Sequence, residues 1–481
     1  MPENSWPEND SYNELEPLDS LLSECRDAIQ GVSTEEFESE FFQGLAGRRR
    51  KAAFALTVIW GSTVALHFIV WGSWLVVGLT ALLFIQALRV VFARPLKLPE
   101  PLSEETKDQW PYVSLLVAAK NEEAVIGRLV RTLCNQDYPV DRYEVWVIDD
   151  HSTDRTPLLL EQLAKEYRQM KVLRRPANAS GGKSGALNQV LPLTRGQIVG
   201  VFDADAQVPT DMLRRVCPSF QREAVGAVQM RKAIANASLN FWTRGQKAEM
   251  AFDTYLQQQR IAIGGIGELR GNGQFVRRTA LESCGGWNEE TITDDLDLTF
   301  RLHLDQWDID FVIFPAVQEE GVTNAIALWH QRNRWAEGGY QRYLDYWRLL
   351  VSNRMGTLKT LDLFSFTIIQ YILPAAAVPD CLMALVRNRP PVLAPISSFA
   401  ITLPLLGIFI GLHRISKQEK FRTSNFFDTL LATLRGVFYL FHWILIMAST
   451  TARMSVRPKR LKWVKTVHHG TGDESLEFES L

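Results

Sequence analysis

Two kinds of apolar stretch alternate with polar sequence along this chain. Short runs, "YVSLLVAAK" (Tyr112–Lys120), "YEVWVIDD" (Tyr143–Asp150), "KVLRR" (Lys171–Arg175) and "IVGVF" (Ile198–Phe202), predict buried strands. Between them "NEEAVIGRLVRTL" (Asn121–Leu133), "DRTPLLLEQLAKEY" (Asp154–Tyr167) and "SGGKSGALNQVL" (Ser180–Leu191) predict helices, the last preceded by a glycine-rich loop. Strand and helix in alternation specify an α/β fold with a mostly parallel sheet covered by helices.

The long runs flank this region. Ala52–Ala93 contains one formal charge, Arg89, and predicts two short helices with a turn near Trp71–Trp74. Leu361–Val386 and Val392–Leu412 each reach the roughly 20 apolar residues that a crossing needs. Phe426–Thr450 carries Arg435 and His442 inside it. Basic clusters at Arg48–Lys51, Arg348–Lys359, His413–Arg422 and Arg453–Lys465 all favour the cytoplasmic face. That arrangement accommodates two C-terminal crossings, so 426–450 is expected to be re-entrant or interfacial.

Composition sharpens the division. Residues 1–47 hold twelve Asp or Glu against one basic residue, Arg26, and read as an acidic, disordered tail. There follow a transmembrane hairpin at 48–94, a cytoplasmic domain at 110–355 ending in an interfacial helix, membrane segments at 361–450, and a basic then acidic cytoplasmic tail at 451–481. The formal net charge of -2 gives no electrostatic footprint for a nucleic-acid partner. Cys25, Cys134, Cys217, Cys284 and Cys381 follow no metal-ligand spacing and read as reduced thiols. No basic segment followed by a short apolar one opens the sequence, which predicts no cleavable signal.

Candidate chemistry lies where strands end, since ligands of such sheets bind beyond the carboxyl ends. Asp149, Asp150, Asp203 and Asp205 all fall there. Carboxylates sharing a crevice repel unless a cation joins them, and hard oxygen ligands select Mg2+ or Mn2+, with a diphosphate supplying further oxygens. Asp154 reads as a helix cap instead. Lys183, in the glycine-rich loop, offers a cation near that anion. "GNGQFVRR" puts Gly271, Asn272 and Gly273 at a turn on the crevice floor. "ETITDDLDLTFRLHLDQW" opens a helix with Asp294, Asp295 and Asp297, candidates both for capping and for a general base. In "WHQRNRWAEGGYQRY", helical spacing gathers Gln331, Arg334 and Trp335, although an amphipathic surface helix accounts for the composition equally well.

D-D after the second strand, D-A-D, T-D-D and Q-R-N-R-W, in this order, resemble the family 2 inverting glycosyltransferases of the GT-A fold over residues 110–345. The whole chain resembles the membrane-bound members of that family that glucosylate diacylglycerol in oxygenic photosynthetic bacteria. The resemblance implies a nucleotide-diphospho-sugar transferase domain flanked by transmembrane helices, UDP-glucose as donor, diacylglycerol in the bilayer as acceptor, and Mg2+ or Mn2+ as cofactor. It assigns Asp150 to uracil with Ala119 and Glu122 nearby, Asp203 to the nucleotide, and Asp205 to the metal. Asp295 becomes the base; Gln331, Arg334 and Trp335 hold the diphosphate and frame the acceptor. Lys183 joins the donor set, with Gly271, Asn272, Gly273 and Asp294 near the sugar or acceptor. A processive polysaccharide synthase of the cellulose or hyaluronan type shares the four motifs, but four or five membrane segments are few for a polymer channel. A non-catalytic sugar-nucleotide sensor would have no need of an intact Asp205 and Asp295.

Overall fold

A computed structural model describes residues 41, 47–419 and 425–456. The acidic tail, but for Phe41 and Gly47, and the tail after Val456 lie outside the described residues. Seven strands form one mixed sheet in the order β3-β2-β1-β4-β6-β5-β7. They are β1 Val113–Ala119, β2 Tyr143–Asp149, β3 Met170–Arg174, β4 Ile198–Asp203, β5 Val225–Ile234, β6 Gln274–Arg277 and β7 Asp308–Glu319. Pairing is parallel except on the two sides of β6.

Both faces of the sheet are covered, which explains why its central strands are continuous apolar runs rather than alternating ones. Val113, Leu115 and Val117 of β1 enter one core with Ile198 and Phe202 of β4. Leu116, Val199 and Val201 enter the other, with Leu187 and Leu298 from the covering helices. This period of two also decides which strand-end carboxylates reach the crevice. The first helix starts at Ile126 rather than Asn121, because Asn121 adopts a left-handed φ of 54° and accepts the Thr153 N–H on Oδ1.

Four helical stretches are long and apolar enough to cross a membrane: Gly72–Phe92, Thr357–Arg387, Ala394–Gln418 and Phe426–Val456. The last consists of Phe426–Leu440 and His442–Val456, so the segment expected to be re-entrant has the length of a crossing. The N-terminal hairpin turns at residues 67–71, earlier than expected. Gly72 opens its second helix where a Cβ would stand 2.3 Å from the Leu66 carbonyl oxygen. A side chain there would push the two helices apart.

The sheet domain and the apolar helices interlock. Arg48, buried at the start of the Arg48–Leu66 helix, grips Asp345 through two hydrogen bonds of 2.6 and 2.7 Å. Asp345 sits on the Ala325–Val351 helix, capped by Asn324, which accepts the Ala327 N–H. That helix was expected at the interface, yet it buries Arg332, Gln341, Arg342 and Asp345. It is an internal pillar because these polar groups find partners on both sides of it. The Phe241–Ala262 helix is likewise seated against Ala394–Gln418, with Gly411 so close that a Cβ would lie 2.2 Å from the Ala251 carbonyl oxygen.

Candidate active site

The carboxyl ends of β1, β2 and β4 open into a cavity of about 1000 Å³ that continues between the apolar helices. Its polar end is lined by Ala119, Glu122, Asp150, Lys183, Asp203, Asp205, Gly271, Asp294, Asp295, Gln331, Arg334 and Trp335. Of the residues that the resemblance assigns to the site, Asn272 and Gly273 alone stand outside this lining. Asn272 is fully buried, and its Oδ1 accepts the Asp203 N–H at 3.3 Å, so it positions the D-A-D turn from behind. Gly273 has a φ of 72° and packs where a Cβ would meet Val317 at 2.5 Å.

Asp149 and Asp150 diverge. Asp149 is buried, accepts the Ser152 N–H and faces Arg174 at 3.3 Å, and so leaves the crevice to three of the four strand-end carboxylates. Asp150 receives Arg175 Nη1 at 2.7 Å and Lys120 at 3.4 Å. The same Arg175 guanidinium donates to the carbonyls of Ser180 and Gly182 at 2.5 and 3.1 Å. It thereby fixes the glycine loop against Asp150. Asp154 stands one residue ahead of the cap position, Arg155, and accepts the N–H of Thr156, the first helical residue, at 2.9 Å and that of Glu123 at 3.2 Å.

Gly181 and Gly182 both have positive φ, 80° and 52°, which turns the chain sharply into the Gly182–Val190 helix. Lys183 then reaches Asp203 Oδ1 at 2.6 Å and lies 3.9 Å from Asp294 Oδ2. Burial works against its ammonium, but Asp203 and Asp294 outweigh burial and raise its pKa. Asp205 projects from the turn after β4 and accepts the Glu320 N–H at 3.4 Å.

Thr293, Asp294 and Asp295 open the Asp294–Leu304 helix. Burial, then the neighbouring Asp294, pushes the Asp295 carboxyl up to about 6, against a reference of 3.8. Such a carboxylate is ionised at neutral pH yet basic enough to accept a proton in a transition state. Gly271, at φ 81°, lies where a Cβ would come within 3.4 Å of Asp295 Oδ2, so its lack of a side chain keeps space beside that oxygen. Asp297 serves the structure: it receives Arg301, Asn288 and the Tyr346 hydroxyl at 2.7 to 2.9 Å.

On the opposing wall, Gln331, Arg334 and Trp335 face the cavity while Arg332 turns inward. Arg332 pairs with Glu249 at 2.5 Å and stacks 3.8 Å from the Trp335 ring centroid. Of the two arginines in the motif, Arg334 is therefore the one on the crevice. Burial lowers its pKa, an effect that Asp203 and Asp295 oppose.

Sequence reading passed over Lys232, Arg175 and Arg270. Lys232 lines the cavity from β5, pairs with Glu319 at 2.7 Å and lies 5.5 Å from the Trp335 ring. Its signal was a lysine in an otherwise buried strand, a placement rarely tolerated without a partner. Arg270 also lines the cavity, held by Asp253 at 2.7 Å and Glu268 at 2.5 Å.

Among the described residues no group of three or more His, Cys, Asp or Glu side chains is gathered as a metal cage. Asp203 and Asp205 still present hard oxygen donors to one cavity. Such a sparse oxygen set suits a cation that takes most of its ligands from a substrate's phosphates and water, as Mg2+ does.

Residues 114–285 match the model of the Glycosyl transferase family 2. The chain is 63% identical to a beta-monoglucosyldiacylglycerol synthase of Nostoc sp., over 98% of this chain and 100% of that one. It is 58% identical to a protein of the same name from Synechocystis sp., over the full length of both. A solved mannosyltransferase from Pyrobaculum calidifontis, in complex with GDP-Man and Mn2+, is similar at 19% identity with a TM-score of 0.49, over 81% of this chain and 99% of that one. With identity sustained from end to end, the chain belongs to the beta-monoglucosyldiacylglycerol synthase family, within the family 2 glycosyltransferases.

Proposed function

We propose that the chain transfers glucose from UDP-glucose to 1,2-diacylglycerol with inversion, giving beta-monoglucosyldiacylglycerol, a glycolipid precursor of thylakoid galactolipids. The observation that carries this reading is the single cavity, whose one end gathers carboxylates and cations and whose other end lies between apolar helices. A water-soluble donor and a lipid acceptor can meet in it, and Asp295 stands in its lining.

In this reading Asp150, with Ala119 and Glu122, borders the uracil, and Asp203 contacts the nucleotide. Lys183, Gln331, Arg334 and Trp335 border the diphosphate. Asp205, with Asp203 beside it, would hold a divalent cation, Mg2+ or Mn2+, which when bound neutralises charge on the departing diphosphate. Asp295 accepts the proton of the diacylglycerol hydroxyl as that oxygen bonds to the anomeric carbon. The bond to UDP breaks on the opposite face and its electron pair leaves with the diphosphate, so an alpha donor yields a beta glucoside. The catalytic residues 110–355, both tails and the basic clusters lie on the cytoplasmic side, where UDP-glucose is available.

The test is an assay of purified protein in detergent micelles with diacylglycerol and several labelled nucleotide sugars. One labelled beta-monoglucosyl lipid, formed from UDP-glucose in preference to the other donors, is the expected product. A long labelled glucan with no glycolipid, or no transfer from UDP-glucose, overturns the reading.

A further inference from the structure

The apolar end of the cavity carries two side-chain amides. Gln86 and Gln370 both line it, on the Gly72–Phe92 and Thr357–Arg387 stretches respectively. Gln86 faces it from the same helix side as Leu83 and Val90, at i, i+3 and i+7 spacing. It is 6% exposed, in a helix otherwise apolar enough to cross a membrane. A polar group in such a place is costly unless something satisfies it.

The orientation of the Gln86 amide follows from its neighbour. Arg89 Nη1 lies 2.8 Å from Gln86 Oε1, and because a guanidinium can only donate, the amide must present its oxygen to Arg89. The NH2 group is left over, and Nε2 is buried with no partner among the described residues. Gln370 stands in the π-helical turn Ile368–Ile372, a local distortion frequent at functional sites. Both glutamines thus line a wall that is otherwise mostly apolar, and the Gln86 Nε2 donor is left to be satisfied.

Depth is informative too. Six residues separate Gln86 from the end of its helix at Phe92, about 9 Å at the helical rise. Gln259 Nε2 of the catalytic region donates to the carbonyls of Val90 and Ala93, at 2.6 and 3.0 Å, and marks where the helix leaves the apolar zone. Gln86 therefore lies just inside the apolar zone, below the polar end of the cavity where the hydroxyl is to react. In a glycerolipid the groups at that depth, next to the free hydroxyl, are the acyl ester carbonyls, which accept hydrogen bonds and cannot donate them.

Resting on the acceptor reading above, we infer that the Gln86 and Gln370 amides donate hydrogen bonds to the ester carbonyl oxygens of the acceptor. The enzyme then recognises acyl esters themselves and not merely a hydroxyl attached to two hydrocarbon chains. Gln86 and Gln370 are specificity-determining residues, distinct from the groups that act on donor and hydroxyl.

The experiment compares 1,2-diacylglycerol with a 1,2-dialkylglycerol of equal chain length, which keeps the hydroxyl and chains but lacks both carbonyls. With full-length protein in micelles and saturating UDP-glucose, wild type is expected to show a kcat/KM roughly ten- to a hundredfold lower on the dialkyl lipid. Gln86→Met and Gln370→Met, each close in volume to the native side chain, should lower kcat/KM on diacylglycerol by about tenfold. On the dialkyl lipid they should change little, with the KM for UDP-glucose preserved. Equal use of the two lipids by wild type overturns the inference and leaves the acceptor class standing, as does an equal loss on both lipids in a folded variant. Glycolipid formed from neither lipid overturns the acceptor reading beneath it. The wild-type ratio decides the matter even where a variant fails to fold.

Discussion

At the scale of single residues, the proposed chemistry rests on one carboxylate, Asp295, held away from its ordinary state. Burial and the neighbouring Asp294 raise Asp295 from 3.8 to about 6, against its ionised form. The sign has two consequences. As a base Asp295 acts when ionised, so turnover should fall as pH drops through about 6, which a pH–rate profile at saturating donor will show. As a group whose pKa is raised on folding, it costs stability at all pH values above that of the unfolded carboxyl, with the cost complete above about 6. Asp295→Asn should therefore abolish nearly all transfer, bind UDP-glucose about as well as wild type, and raise the apparent melting temperature at pH 8 but not at pH 4. Loss of donor binding in parallel with rate would give Asp295 a different role. Asp205→Asn should lower turnover by orders of magnitude, and excess chelator should do the same to wild type; full activity in either would remove the metal from the mechanism. Lys232→Met removes a cation that faces Trp335 and Asp295, and should weaken donor binding measured by calorimetry about tenfold or more.

Between elements, glycine decides what can meet. Gly407, Gly411 and Gly436 each stand where a Cβ would press on the Phe241–Ala262 helix, at Phe252, Ala251 and Ala248 respectively. Small residues at helix contacts let backbones approach closely, the means by which helices pack in an apolar medium. Gly411→Ala is expected to cost about 1–3 kcal/mol, since the obstacle is a backbone carbonyl that cannot rotate away. Thermal unfolding in detergent should show the loss, with lipid transfer falling more than donor binding. This scale also marks how far the sequence could be read. β1, β2 and β4 were legible because a buried parallel strand is a short apolar run, and the aspartates that end β2 and β4 came with them. The Phe241–Ala262 helix was not, because its contact face is built from Gly245, Ala248 and Ala251, which carry no hydrophobic period. β5 and β7 were passed over as well, and with them Lys232 and Glu319, whose pairing joins residues remote in sequence. The roles of Arg332 and Arg334 could not be separated by spacing alone; Glu249, far away in the chain, captures one of them.

Across the whole molecule, ion pairs and caps lock the apolar helices to the sheet domain. Arg48 holds Asp345, Arg260 holds Asp362 at 2.8 Å, and Arg231 reaches Glu419. Each joins the sheet domain or the pillar helix to a segment at the edge of an apolar run, so rigid docking of the two parts is expected. Placing residues 95–360 and both tails in the cytoplasm makes a clear prediction. Single cysteines introduced near Lys107, Arg354 and Lys465 should all react with a membrane-impermeant thiol reagent only after cytoplasmic access is opened. Labelling of the C-terminal position alone from outside would put that tail on the opposite side from positions 107 and 354 and fix an odd number of crossings between 354 and 465.

One cavity with a polar end and an apolar end also sets the units in which the proposed reaction counts. Under the proposed function, UDP-glucose would arrive by diffusion in three dimensions and be measured in moles per litre. The lipid acceptor would arrive by diffusion in two, among its neighbours in a leaflet, and be measured as a mole fraction. Adding inert detergent at fixed amounts of protein, donor and diacylglycerol should slow the reaction by surface dilution, although no bulk concentration of a reactant has changed. The rate in a cell would then follow the composition of the membrane around each molecule, and a local rise in diacylglycerol would be converted where it appears.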